Sequence, residues 1–332
     1  MEELEQNRID KQITNKSIDI LRNNKIKSIG LPEYIYEDQE NIDINFKITK
    51  GVDYNNLTCI FDCTTEKEKY IKEFKDKTLM FPANIKYLIV KGIENLDCNL
   101  DFSKAVDLEY LQLVNPSYTH YYILRILARQ PKHFRIINNW PANLKYLILD
   151  EYNYPLDNLP SSLQYIYIPK NFNHPLNNLP FNLIALELSD SCEFSYQLNN
   201  LPYGIKYLKI GDGLGYEYPL DNLPLSLEIL DLGGDEYNSL NNLPDSITHL
   251  TFGSVIAPIE NLPSNLKELK VYYDKNSTVY SKQIREYLGD TVFPDGFETL
   301  KISYEYANIR EEEKNNLVMI FQNKKIKICF GE

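Results

Sequence analysis

Apolar residues fall at fixed distances from a recurring proline along most of this chain. Pro82, Pro141, Pro160, Pro180, Pro202, Pro224, Pro244, Pro263 and Pro294 mark nine units, and those from Pro141 to Pro263 are spaced 19, 20, 22, 22, 20 and 19 residues apart. Three residues after each proline come Ile85, Leu144, Leu163, Leu183, Ile205, Leu227, Ile247, Leu266 and Phe297. Six after come Leu88, Leu147, Ile166, Leu186, Leu208, Leu230, Leu250, Leu269 and Leu300, and eight after come Val90, Leu149, Ile168, Leu188, Ile210, Leu232, Phe252, Val271 and Ile302. Positions six and eight lie on one side of an extended chain and positions five and seven on the other, so each unit predicts a short strand with one buried face. A proline just ahead of a strand removes no N–H that the ladder needs. So few apolar residues per unit cannot bury a core alone, but strands stacked about 4.8 Å apart make a continuous one. The pattern predicts a repeat solenoid with one parallel β-sheet of about 9–11 short strands, irregular loops and a few capping helices. A further strand is expected near Leu108–Leu113, where Leu-x-x-Leu-x-Leu recurs without a proline.

Asparagine stands two residues before most of these prolines: Asn158, Asn178, Asn200, Asn222, Asn242 and Asn261 each open an Asn-Leu-Pro, and Asn139-Trp140-Pro141 is a variant. The fixed offset predicts amides turned inward onto backbone groups of their own and neighbouring turns; the alternative is an exposed turn asparagine. The stretch Asn171-Phe172-Asn173-His174-Pro175-Leu176-Asn177-Asn178-Leu179-Pro180, followed by Leu183, Leu186 and Leu188, resembles the FNIP repeat, a relative of leucine-rich repeats. Tyr152-Asn153-Tyr154-Pro155-Leu156 and Tyr237-Asn238-Ser239-Leu240 are looser copies. The resemblance covers residues 137–271 well and 81–113 and 293–303 loosely, and it implies a leucine-rich-repeat-like fold. Such proteins occur in social amoebae and in giant viruses that infect amoebae. Several carry an N-terminal F-box, which implies substrate adaptors of ubiquitin ligases.

Three segments follow from where the pattern holds. Residues 1–78 do not repeat and are expected to cap the first strand's edge. Within them Leu31-Pro32-Glu33-Tyr34-Ile35 resembles an F-box opening, so a degenerate F-box is one reading. The alternation over Ile42–Ile48 instead predicts a strand, and Glu66–Phe74 a short charged helix. Residues 79–304 form the array, with insertions at about 114–136 and 274–292; Tyr121–Arg129 and Val279–Gly289 are predicted helical. Residues 305–332 predict a C-terminal cap. It comprises a helix over Ile309–Gln322 with Leu317, Val318, Ile320 and Phe321 inward, then an edge strand at Ile326, Ile328 and Phe330 blunted by Lys325 and Lys327.

The chain has 332 residues, of which 43% are hydrophobic and 12% aromatic, a folding composition. Its net charge of −12 disfavours a general nucleic-acid or anionic-membrane partner. Residues 141–271 contain no arginine, hence no bidentate fork for phosphate. The opening MEELEQNRIDKQ lacks an apolar core and no run approaches a membrane span, so a cytoplasmic protein is expected, in the host cytoplasm if viral. In a reducing compartment Cys59, Cys63, Cys98, Cys192 and Cys329 read as free thiols, and the sequons at Asn15, Asn56 and Asn276 as chance. The spacing Cys59-x-x-x-Cys63 lacks the further ligands a zinc site needs.

Chemistry is sparse. No phosphate loop or His-Glu-x-x-His is present, and Gly211-Asp212-Gly213-Leu214-Gly215 falls at a strand end, where Gly233-Gly234 and Gly253 also fall, as turn glycines would. His120, His133, His174 and His249 occupy unrelated phases of the repeat, and no serine or cysteine recurs beside them as a nucleophile would. No catalytic residue, cofactor or metal ligand is expected, and the chain is not expected to be an enzyme.

The outward strand positions carry the informative pattern. Tyr87, Ile89, Tyr146, Ile148, Tyr165, Tyr167, Tyr207 and Ile229 make its N-terminal part aromatic and aliphatic, whereas Glu187, Lys209, Asp231, Glu268, Lys270 and Lys301 make the rest charged. Tyrosines side by side on a sheet suit a protein partner, unless the 114–136 segment or the N-terminus folds over them. The expected function is a protein–protein interaction module binding on the outward strand face. The alternatives are a ubiquitin-ligase adaptor through an F-box-like N-terminus, and an enzyme with its site in the non-repeat segments.

Overall fold

In the computed structural model of the chain, the described residues are 33–36, 41–45, 58–62, 78–83, 85–91, 98–114, 137, 139–149, 152–190, 192–211, 216–233, 236–237, 239–255, 259–272, 288, 291–303, 311–322 and 326–331. They belong to two units, Met1–Pro169 and Lys170–Glu332. In both, the marker prolines from Pro141 to Pro294 each open a strand through the carbonyl. The N–H three residues on closes a turn onto that oxygen, as in Leu163 to Pro160 (3.1 Å), Ile205 to Pro202 (3.1 Å) and Phe297 to Pro294 (2.9 Å). The turn delivers the apolar residue at position three into the core and sets the phase of positions six and eight.

The first unit contains β1 (Glu33–Tyr36), β2 (Asn41–Asn45), β3 (Thr58–Asp62), β4 (Thr78–Met80), β5 (Tyr87–Lys91), β6 (Asn99–Asp101), β7 (Tyr110–Val114), β8 (Tyr146–Leu149) and β9 (Tyr165–Ile168). Strands β3, β5, β7, β8 and β9 pair in that order, all parallel. The strand expected near Leu108–Leu113 is therefore present as β7. A second sheet runs β1-β2-β4-β6, with β1 antiparallel to β2 and the rest parallel. Residues 33–36 and 41–45 thus form a hairpin where an F-box would continue as helices. The helices expected at 66–74 and 121–129 lie outside the described residues.

The second unit contains β10 (Ala185–Leu188), β11 (Tyr207–Ile210), β12 (Ile229–Asp231), β13 (Glu236–Tyr237), β14 (His249–Phe252), β15 (Ser254–Val255), β16 (Glu268–Tyr272), β17 (Thr299–Ser303), α1 (Glu311–Ile320) and β18 (Lys327–Gly331). Strands β10, β11, β12, β14, β16, β17 and β18 form a parallel run, and β13 pairs with β15 as a short outer ladder. Of the excursion expected at Val279–Gly289, only Leu288 is described, and it is buried. Helix α1 begins with glutamates, favourable at a helix N-terminus, and Leu317 within it and Phe321 just past its end are buried four residues apart. Phe321 meets Phe293 edge-on at 6.3 Å. Val318, expected inward, is instead exposed: the face through Leu317 and Phe321 does the packing and Val318 lies off it.

All 27 apolar positions at three, six and eight residues after the prolines are buried, none more than 6% exposed. The chain is a leucine-rich-repeat-like solenoid. Two further inward columns come from the loops. Leu156, Leu176, Leu198, Leu220, Leu240 and Ile259 stand four before their prolines and are buried, as are the aromatics Tyr152, Phe172, Phe194, Tyr216 and Tyr237 earlier in the same loops. The hydroxyls of Tyr152 and Tyr216 accept N–H bonds from Ile137 (3.2 Å) and Leu198 (3.0 Å), each of which lies four before the previous unit's proline. Each ring thus fills the loop and its hydroxyl satisfies a buried amide of the preceding unit.

The inward asparagine ladder is not there. Asn139, Asn158, Asn178, Asn200, Asn222, Asn242 and Asn261 are all exposed, and the Asn200 amide reaches only the equally exposed Asn177 (3.3 Å). Asn158, Asn178, Asn200, Asn222 and Asn242 sit in turns, and Asn158 takes a left-handed φ of 56°, which asparagine tolerates better than most residues. Polar bridging between units comes instead from the residue two after the proline. Ser162 donates to the Leu144 carbonyl (2.8 Å), Ser226 to Ile205 (2.7 Å) and Ser246 to Leu227 (2.8 Å). Asn143 and Asn265 use their amides the same way, on Val106 (2.8 Å) and Asp245 (2.9 Å).

Candidate interaction surfaces

In the first unit, parallel pairing lines up the outward side chains in rows. One row runs Tyr87, Tyr110, Tyr146 and Tyr165 across β5, β7, β8 and β9, and the next runs Ile89, Gln112, Ile148 and Tyr167. Tyr110, the central member, is absent from the residues expected at the surface, because β7 has no proline marker. It is buried, donates its hydroxyl to Gln112 (3.1 Å) and lies 6.4 Å from the Tyr87 ring. Ile89 and Tyr165 are buried too, while Tyr87, Gln112, Tyr146, Ile148 and Tyr167 are half-buried. The rows therefore combine three closed positions, Ile89, Tyr110 and Tyr165, with five partly accessible side chains, Gln112 among them. A Lys145–Glu109 pair (3.1 Å) borders them. Burial, opposed by Lys145, raises the Tyr146 pKa, and burial with the nearby Glu109 raises that of Tyr87, so both hydroxyls stay protonated donors.

In the second unit the outward face changes character. Tyr207 is buried and Ile229 half-buried, between Ala185 and His249 in register. Beyond them the charges pair with one another: Lys206 with Glu228 (2.7 Å), Lys209 with Asp190 (3.5 Å) and Lys301 with Glu268 (2.5 Å). Burial works against the charge of Lys209, but Asp190, Asp231 and Glu187 outweigh it and raise its pKa. A cation so compensated offers little free charge to an anionic partner.

A different apolar surface lies on the turn edge of this unit. Phe181, Tyr203 and Leu225, each the first residue after its proline, are 72%, 93% and 82% exposed in three consecutive repeats. Other units place the small or polar Ala83, Ala142, Ser161, Asp245, Ser264 and Asp295 there. That contrast was legible in the sequence, but the column lies in the turn, outside the strand alternation that drew the first reading.

Groups with catalytic potential are scattered. His174 packs edge-on against Phe172 (5.6 Å) and His249 contacts the Thr248 hydroxyl through Nδ1 (2.9 Å). His120, His133 and the side chains of Cys59 and Cys63 lie outside the described residues. Among the described residues no cluster of three or more His, Cys, Asp or Glu is placed to hold a metal, and no helix is long and apolar enough to cross a membrane. Gly211 is a packing glycine: a Cβ there would stand 2.4 Å from the Ser189 carbonyl carbon and oxygen of the preceding unit. A groove of about 200 Å³ lies between two loops, lined in part by Tyr216, Tyr218, Tyr237 and Leu240.

The geometry of proline turn, inward strand and loop aromatic is that of one repeat type. The family described as FNIP Repeat matches residues 136–171 and 217–255. The chain carries FNIP repeats. Between the two matched segments, the Phe172 and Phe194 units keep the same buried aromatic and leucine columns. No curated protein matches the chain. Among solved structures, one described as "the crystal structure of CroV588 a novel circular LRR protein structure" is similar, at 20% identity and a TM-score of 0.42. The match covers 80% of this chain and 42% of that one, so this chain spans under half of that protein's length. FNIP repeats on a leucine-rich-repeat-like fold are in general a scaffold for protein interaction.

Proposed function

We propose that the FNIP array is a protein-recognition module that docks its partner on the outward strand face of the first unit. The observation that carries the reading is the in-register row of tyrosines. Strands about 4.8 Å apart bring the half-buried Tyr146, Ile148 and Tyr167 into one patch, with the buried Tyr110 and Tyr165 flanking Tyr146 in its row. Such a patch offers large apolar area, low entropy cost and hydroxyl donors, which favour a protein surface over a small ligand. The self-paired lysines and the acidic balance of the chain argue against nucleic acid or an anionic membrane. The hairpin β1–β2 gives a ligase-adaptor role no structural support at the segment that suggested it.

The exposed ridge of Phe181, Tyr203 and Leu225 supports a second reading, in which the partner grips the turn edge of the second unit. Two variants separate the surfaces. Tyr146→Ala with Tyr167→Ala truncates the strand-face patch, whereas Phe181→Ser, Tyr203→Ser and Leu225→Ser remove the ridge. Losing a central aromatic costs about 2 kcal/mol or more, roughly thirtyfold in affinity. Capture of a specific host-cell protein that fails with the first variant and persists with the second, both with unchanged thermal unfolding, supports the strand face. The reverse result moves the site to the ridge, and loss with neither refutes both.

A further inference from the structure

Strand β18 ends its parallel run: among the described residues it pairs with β17 alone. Its inward residues Ile328 and Phe330 are half-buried, although their register partners Leu300 and Ile302 are fully buried. The inward side chains of β18 are thus less covered than those of β17. The Lys327 N–H bonds to the Glu298 carbonyl of the preceding unit at 3.0 Å. Successive residues of a strand direct their backbone groups to opposite edges, so Lys327, Cys329 and Gly331 spend theirs on β17 while Ile328 and Phe330 face the open edge.

We propose that this edge is a homodimer interface, in which β18 of two copies pair antiparallel about a two-fold axis through Cys329. The sequence of the strand is self-complementary in that register. Ile328 falls opposite Phe330 of the second copy, and their outward-facing backbone groups supply the hydrogen bonds while their side chains extend the core. Lys327, the strand's one charge, falls opposite Gly331 rather than another lysine, so the arrangement avoids like-charge repulsion. Cys329, a free thiol at intermediate exposure, falls opposite itself. Because its backbone groups point away from the new interface, the two cysteines form a non-hydrogen-bonded pair with Cα atoms about 4.5 Å apart, within the range a disulfide spans.

That geometry makes the thiol a reporter. With oxidised glutathione as oxidant, a Cys329 thiolate attacks the glutathione disulfide to give a mixed disulfide and one glutathione thiolate. Cys329 of the second copy then attacks the protein sulfur and expels the second glutathione, and both released thiolates take up the protons lost by the two cysteines. Two thiols and one glutathione disulfide thus give one intermolecular disulfide and two reduced glutathiones.

The test uses the full 332-residue chain in sedimentation equilibrium and non-reducing electrophoresis, with and without oxidised glutathione. The proposal expects a concentration-dependent dimer without oxidant and a covalent dimer with it, reversed by dithiothreitol. Cys329→Ser abolishes the covalent species and keeps the non-covalent dimer. Phe330→Pro removes an N–H that β17 does not use and weakens dimerisation at least tenfold. A monomer at all accessible concentrations, a covalent dimer that survives Cys329→Ser, or an unweakened dimer in Phe330→Pro overturns it.

Discussion

Replacing Ser226 and Asn222 separately by alanine decides which side chain ties one FNIP unit to the next. Ser226 is partly buried and its Oγ donates to the Ile205 carbonyl at 2.7 Å; Ser246 makes the equivalent bond one unit along and Ser162 three units before. Ser226→Ala removes a donor and leaves a carbonyl inside the turn stack, which costs about 1–2 kcal/mol: a net hydrogen bond of about 1 plus part of a desolvation penalty. Asn222 is exposed, so Asn222→Ala removes turn preference and little else, about half a kcal/mol or less. In thermal unfolding the serine variant falls by a few degrees while the asparagine variant stays within about one, on the scaling for domains of 150–250 residues. Ser226→Ala with Ser246→Ala costs roughly the sum, since the two hydroxyls reach different carbonyls. An asparagine variant that loses more stability than the serine variant refutes this assignment and restores the asparagine ladder.

Two further outcomes follow from the loops and strand ends. Burial, opposed by the N–H from Ile137, raises the Tyr152 hydroxyl to about 12, and burial opposed by Leu198 does the same for Tyr216. The folded state then holds these protons through a range in which the unfolded chain releases them, so their contribution is complete below about pH 10 and is lost as pH rises towards 12. Titration at 295 nm shows a late-ionising phase from which Tyr152→Phe and Tyr216→Phe each remove one tyrosine; ionisation of all tyrosines near pH 10 in the folded protein contradicts the burial. Gly211→Ala sets a Cβ against Ser189 backbone that cannot swing aside, and costs about 1–3 kcal/mol in denaturant unfolding; an unaffected midpoint means the units are not packed that closely.

The inward register was legible because each proline restarts the count, so a single offset error cannot propagate along the array. Strand β3 was not, since it follows no proline and its stretch Thr58–Asp62 shows no leucine signature. The loop aromatics Tyr152, Phe172, Phe194 and Tyr216 also recur eight residues before their prolines, but irregular backbone has no two-fold or 3.6-fold period to say which way a side chain points. The asparagines show the converse: recurrence at a fixed offset marks a constrained position without saying whether the constraint is a buried bond or a turn. For the strand-face surface, the rows were readable from the offsets, whereas the burial of Tyr110, Ile89 and Tyr165 depends on what packs across them, which no local pattern encodes.

The central claim is that a protein partner lies over the strand face of the first unit. Photo-crosslinking tests it most directly, with p-benzoylphenylalanine placed at Tyr146, at Tyr203 on the ridge, or at Thr299 on the charged part of the second unit's outward face. The account predicts an adduct of one specific partner from Tyr146→p-benzoylphenylalanine and none from the other two positions. A specific adduct from Tyr203 or Thr299 with none from Tyr146 contradicts it.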